Sequence, residues 1–130
     1  MTKEKLEIYK CEICGNLVQV LLTGAGELVC CNQPMTLQNI QQDKSDLGEK
    51  HAPVVETHDD KKIVQVKSHP MLKEHYIQFI EVIGKDKNEV HLKYFEPETL
   101  PEFDISCLND DIKAIEFCNI HGLWGENNND

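Results

Sequence analysis

Six cysteines and six histidines stand among the 130 residues, and most of them fall into two groups whose types and spacing could bind metal. Cys11-Glu12-Ile13-Cys14 is a C-x2-C pair, followed fifteen residues later by the adjacent pair Cys30-Cys31. Four thiolates suit a tetrahedral ion that accepts soft ligands, zinc or iron. The two-residue spacing lets one tight turn aim both sulfurs at a single ion, and Gly15 relieves that turn. Neighbouring side chains on extended chain point to opposite faces. Cys30 and Cys31 therefore reach one ion only from a bent backbone, and a distorted tetrahedron is expected. Spacing does not name the metal: a structural zinc site and, less simply, a disulfide pair stay open.

The second group is His51, His69, His75, Cys118 and His121. His69-Pro70-Met71-Leu72-Lys73-Glu74-His75 sets two imidazoles around a Pro-containing loop just before an apolar run. Cys118-Asn119-Ile120-His121 is a C-x2-H turn after another such run. His51, in Glu49-Lys50-His51-Ala52-Pro53, is expected on a flexible loop able to swing toward the rest. Imidazoles with one thiolate suit iron, copper or zinc. Three histidines and a cysteine already fill a tetrahedral zinc site, so a fourth histidine points to a square-pyramidal metal with one open position, and hence to chemistry. Scattered surface histidines are the competing reading.

The elements that must position these groups are short. Glu7–Lys10 and Val18–Leu21 read as strands, with Thr23–Gly26 as a turn. So few residues cannot fold on apolar burial alone, and a structural metal is the expected staple. Charge divides the chain near residue 38, with a net of -1 over residues 1–37 and -9 over 38–130. The polar residues 38–50 read as a connecting segment. Lys62–Val66, Tyr76–Ile83, Glu89–Phe95 and Ala114–Phe117 are rich in β-branched and aromatic residues, with Gly84–Asn88 as a hairpin loop. No long window keeps a 3.6-residue period, so an all-β chain is expected, its second part an antiparallel β-sandwich. His58 and His91 are expected to face solvent, Cys107 to fill a small core position, and Trp124 and Tyr76 to pack beside the C-terminal ligand turn.

Net charge is -10 and all thirteen basic residues are lysine. Phosphate recognition rests on clustered cations and on arginine forks, so nucleic acid is excluded as a partner, as is an anionic membrane surface. No apolar run approaches the roughly 20 residues needed to span a bilayer. Residues 1–7 mix charges without the apolar core of a signal peptide, so a cytoplasmic address is expected.

His69-Pro70-Met71 followed by His75-Tyr76-Ile77, the Glu49-Lys50-His51 loop and Cys118-Asn119-Ile120-His121-Gly122-Leu123-Trp124 resemble the motifs of desulfoferrodoxin, the two-iron class of superoxide reductase. The N-terminal cysteine pairs match that family's desulforedoxin-like domain, and the resemblance runs in order through nearly the whole chain. It implies a desulforedoxin-like iron domain at 1–37 and an immunoglobulin-like sandwich at 38–130. It also implies two irons. Cys11, Cys14, Cys30 and Cys31 hold the first as Fe(Cys)4. His51, His69, His75 and His121 form the equatorial plane of the second, with Cys118 as its axial thiolate in Fe(His)4(Cys).

The implied reaction gives superoxide one electron and two protons to yield hydrogen peroxide, without the dioxygen that a dismutase releases. Backbone N–H groups of the Cys118–His121 turn are expected to moderate the thiolate. Lys50 is the candidate for attracting superoxide and supporting protonation, and Glu49 for ligating the oxidised iron. A rubredoxin-type electron donor and a homodimer are further implications. A rubredoxin-like electron carrier and a zinc-ribbon interaction module on a sandwich are the alternatives.

Overall fold

The computed structural model describes residues 2–42, 46–67, 69–108 and 111–126. The chain divides into two compact units, Met1–Asn39 and Ile40–Asp130. In the first, β1 (Ile8–Lys10) is the middle strand of a three-stranded sheet between β2 (Leu17–Gln19) and β5 (Thr36–Leu37), while β3 (Val29–Cys30) and β4 (Gln33–Pro34) form a separate hairpin. The two residues joining that hairpin, Cys31 and Asn32, have φ of 53° and 62°. Two left-handed residues between paired strands are the signature of a type I′ turn. Here is the bent backbone that adjacent cysteine ligands demand. Among the described residues, only Leu6, Ile8, Cys11 and Val20 bury apolar side chains in this unit.

The second unit is the expected sandwich. One sheet has the order β10 (Glu102–Asp104), β7 (Lys61–Gln65), β6 (Val54–His58); the other has β12 (Gly122–Gly125), β11 (Lys113–Cys118), β8 (Ile77–Ile83), β9 (Val90–Tyr94). The pairings between these strands are antiparallel. Between the sheets Val64 and Val66 meet Ile77, Ile80, Val82, Ala114 and Cys118, with Phe95, Ile105 and Leu108 from the connections. The central strand β8 is buried on both faces along nearly its whole length, and five of its seven residues, Ile77, Phe79, Ile80, Val82 and Ile83, are apolar. The Gly84–Asn88 loop closes the β8–β9 hairpin through a 3-10 turn at Lys85–Lys87.

Three expectations need correction. Residues 46–50, expected within a plain connecting segment, and His51, expected on a flexible loop after it, form the helix α1 (Asp46–His51). Six residues are under two turns, too few for a period to show, and Lys50 and His51 in the last turn complement the helix dipole. Cys107 is exposed rather than in the core, because Ile105 (0%) and Leu108 (7% exposed) take the two inward positions of that loop. His91 is half-buried beside Glu89 rather than fully solvent-facing. His58 is exposed as expected, at the end of β6.

Candidate metal centres

At the N-terminal group the sulfurs of Cys11, Cys14, Cys30 and Cys31 lie within 4.8 Å of one another. The C-x2-C turn is held by Cys11 N–H donating to the Asn16 carbonyl (2.9 Å) and Gly15 N–H to the Cys11 carbonyl (2.9 Å). Gly15 has φ +87°, a conformation that favours glycine. Cys14 N–H points at Cys11 Sγ (3.4 Å) and the Asn16 side-chain amide at Cys30 Sγ (3.6 Å). The Cys14 N–H is the main reason the Cys11 thiol is lowered to about 6. Hydrogen bonding with the neighbouring thiols of Cys14 and Cys11 pushes Cys31 up to about 12. Four sulfurs this close ionise together only around a cation, so the donor set fits a thiophilic metal.

The second group gathers residues from four places in the chain. His51 ends α1, His69 lies in the loop before β8, His75 lies two residues before β8, and Cys118 and His121 bracket the β11–β12 turn. The four imidazoles close a ring in the order 51, 69, 75, 121, with centroid separations of 4.6, 4.7, 5.0 and 4.8 Å and interplanar angles of 63° to 80°. Cys118 Sγ approaches His69 Nε2 at 3.2 Å and His121 Nδ1 at 3.9 Å. One ligand atom from each of the five residues lies within 4.8 Å of all the others.

Protonation suits metal binding. His69 Nδ1 faces the Pro70 carbonyl at 2.6 Å; a carbonyl only accepts, so Nδ1 carries the proton and Nε2 keeps its lone pair for the centre. Burial lowers His69 to about 4 and lowers His75 as well, which keeps both rings neutral. His75 Nε2 is buried with no hydrogen-bond partner among the described residues, an orphaned lone pair that a metal would satisfy. Burial raises the Cys118 thiol, opposed by the N–H groups of His121 and Ile120. The His121 N–H reaches Sγ at 3.4 Å, as the expected moderation of the thiolate requires.

Trp124, 2% exposed, stacks on His51 with centroids 4.8 Å apart and 20° between planes. Its Nε1–H donates to the His121 carbonyl (3.1 Å), so it orients two ligands as well as shielding them. Lys50 is exposed one residue before His51. The side chain of Glu49 lies outside the described residues.

Two residues near the centre escaped the sequence reading. Glu116 lies on β11 opposite Ile80 and Trp124. It is fully buried, and burial pushes its carboxyl up to about 9, so it is neutral at physiological pH. The alternation of Ala114, Glu116 and Cys118 along one strand face is the signal that marks it. Gln41 donates its side-chain amide to the His121 carbonyl (2.7 Å), with no motif to announce it.

Comparison with known proteins decides the family. The desulfoferrodoxin family model matches residues 43–127, and the model of the desulfoferrodoxin N-terminal domain matches 3–38. The desulfoferrodoxin of Syntrophotalea carbinolica is 47% identical over 123 residues, covering 93% of this chain and 95% of that protein. The chain belongs to the desulfoferrodoxin family. The desulforedoxin of Megalodesulfovibrio gigas is 53% identical over 32 residues, 25% of this chain and 86% of that protein. The superoxide reductase from Treponema pallidum superposes with a TM-score of 0.67 at 27% identity, covering 93% of this chain and 96% of that one. A desulfoferrodoxin carries two irons, and this chain presents one four-sulfur group and one group of four imidazoles with a thiolate. Among the described residues no helix is long and apolar enough to cross a membrane.

Proposed function

We propose that His51, His69, His75, His121 and Cys118 hold the second, catalytic iron of this superoxide reductase, while Cys11, Cys14, Cys30 and Cys31 hold the first iron. The chain reduces superoxide by one electron and two protons to hydrogen peroxide. The observation that carries the site assignment is the closed ring of four imidazoles with a buried thiol beside it. Five ligands leave a sixth position for an anion, whereas four thiolates leave none. A ferrous ion in the five-ligand set supplies the electron and, against one thiolate and four neutral imidazoles, carries a formal charge of +1.

The residues of the chain do the rest. The backbone N–H groups of His121 and Ile120 hold the Cys118 sulfur, and Trp124 and the sandwich core keep bulk water from that side. Lys50 adds a positive charge next to His51. Physiological salt screens the distant carboxylates beyond about 8 Å, so this local field governs the last approach of an anion despite a net charge of -10. Lys50 also supports proton delivery, and Glu49 closes over the centre after turnover.

Residues 1–37 serve as the metal-stapled domain and 38–130 as the reductase domain. A rubredoxin-type protein is the proposed electron donor, and the cytoplasm the proposed location. Leu21 and Leu22, 71% and 82% exposed, give the small N-terminal unit an apolar surface suited to a homodimer. Product analysis tests the function: reduced protein given substoichiometric superoxide is expected to form one peroxide per superoxide consumed and no dioxygen. Release of half a dioxygen per superoxide would identify a dismutase instead.

A further inference from the structure

The β8–β11 ladder breaks just where the ligands begin. Phe117 pairs with Phe79, but Cys118 pairs with Ile77, a bulge that takes the strands out of register at the thiolate. Beyond the bulge a side chain replaces the ladder. Asn119 Oδ1 accepts from Tyr76 N–H at 2.9 Å, and Asn119 Nδ2 donates to the Glu74 carbonyl at 3.1 Å. Its own N–H donates to the Tyr76 carbonyl at 3.2 Å. An N–H facing one end of the amide and a C=O facing the other admit a single orientation of that side chain.

These contacts surround His75. Glu74 and Tyr76 are its two neighbours in sequence, and its own N–H and carbonyl are exchanged with Leu72 at 3.1 and 2.9 Å. The backbone on both sides of His75 is thereby pinned, inward to Leu72 and outward to Asn119. Asn119 is bonded directly to Cys118, so the same amide fixes the separation of the His75 imidazole from the Cys118 thiolate. It touches neither ligand atom. No other natural side chain of this length offers a donor and an acceptor in the required pair: aspartate keeps the acceptor but turns a carboxylate toward the Glu74 carbonyl, and alanine keeps neither.

We propose that Asn119 is a positioning residue of the five-ligand centre, a side-chain clamp that holds the His75 loop against the Cys118–His121 turn so that imidazole and thiolate are set for iron before it binds. The proposal rests on the assignment of iron to these five residues. Groups that orient metal ligands without binding the metal commonly change affinity by 10- to 100-fold.

The test is chelator challenge of the iron-loaded full chain, followed by absorption, with Asn119→Ala and Asn119→Asp beside the parent. Asn119→Ala is expected to release iron from the five-ligand centre at least about tenfold faster. Its thiolate-to-ferric band should shift or broaden, while the four-sulfur absorption of the N-terminal group stays as in the parent. Asn119→Asp, which keeps the bond from Tyr76 N–H, should fall between the two. Unchanged iron release and an unchanged band in Asn119→Ala overturn the proposal, even if that variant melts at a lower temperature, since a purely structural bond would do only that. A parent chain that takes up no iron at the five residues overturns the metal assignment itself, a failure visible before any variant is made.

Discussion

Around Cys11, Cys14, Cys30 and Cys31 the described residues of the first unit bury the apolar side chains of Leu6, Ile8, Cys11 and Val20 alone. Beneath His51, His69, His75, Cys118 and His121 lies a two-sheet core that includes Val64, Val66, Ile77, Ile80 and Val82, each 1% exposed or less. The four-sulfur group thus depends on its metal for folding, because so small a core cannot repay the chain entropy of ordering nearly forty residues. The five-ligand group is instead placed by a scaffold that exists without metal. A site that must keep a coordination position open cannot also be the only thing holding its surroundings together, and the sandwich relieves it of that task.

Breaking one sulfur ligand should therefore have the largest effect. Cys14→Ser is expected to lose the four-sulfur iron and unfold the N-terminal unit, since metal binding and folding are one equilibrium in such small domains. The sandwich should persist. Limited proteolysis that cuts within the first 39 residues and spares the rest would bear this out; an intact N-terminal unit without iron would contradict it.

The reverse experiment sharpens the contrast. Ile80→Ala removes a fully buried side chain between the sheets and should cost about 2–5 kcal/mol of sandwich stability by the transfer and cavity terms together. Thermal unfolding followed by near-ultraviolet circular dichroism reads the loss, with the four-sulfur absorption unaltered below the transition.

Most of the ligand chemistry is legible in the sequence because metals select residue types and spacing. C-x2-C and C-x2-H turns announce themselves, and the bent backbone at Cys30-Cys31 follows from strand geometry alone. The strands β8 and β11 are legible for the related reason that central strands covered on both faces need β-branched and aromatic residues. What the sequence conceals depends on tertiary context. His51 rides on a one-and-a-half-turn helix too short to show a period. Cys107 leaves the core because Ile105 and Leu108 fill the inward positions of its loop. Glu116 hides within Ala114–Cys118, and Asn119 and Gln41 act through contacts between segments far apart in the chain.

A smaller effect separates electrostatics from scaffold. Lys50→Ala removes an exposed charge near the centre without touching a ligand or the core. Superoxide consumption should slow by about tenfold, at the lower end of electrostatic steering effects, with the iron spectrum and melting temperature unchanged. Pulse radiolysis at low and at physiological salt should show the difference shrinking as ionic strength rises.

The central claim is that superoxide is reduced at the five-ligand centre and not at the four-sulfur one. Cys118→Ser with the N-terminal iron in place tests it most directly. Pulse radiolysis of that variant beside the parent chain is predicted to show superoxide decaying no faster than in buffer, with the second centre's thiolate-to-ferric band lost and the four-sulfur absorption retained. Decay at the parent rate in the same variant would contradict the account.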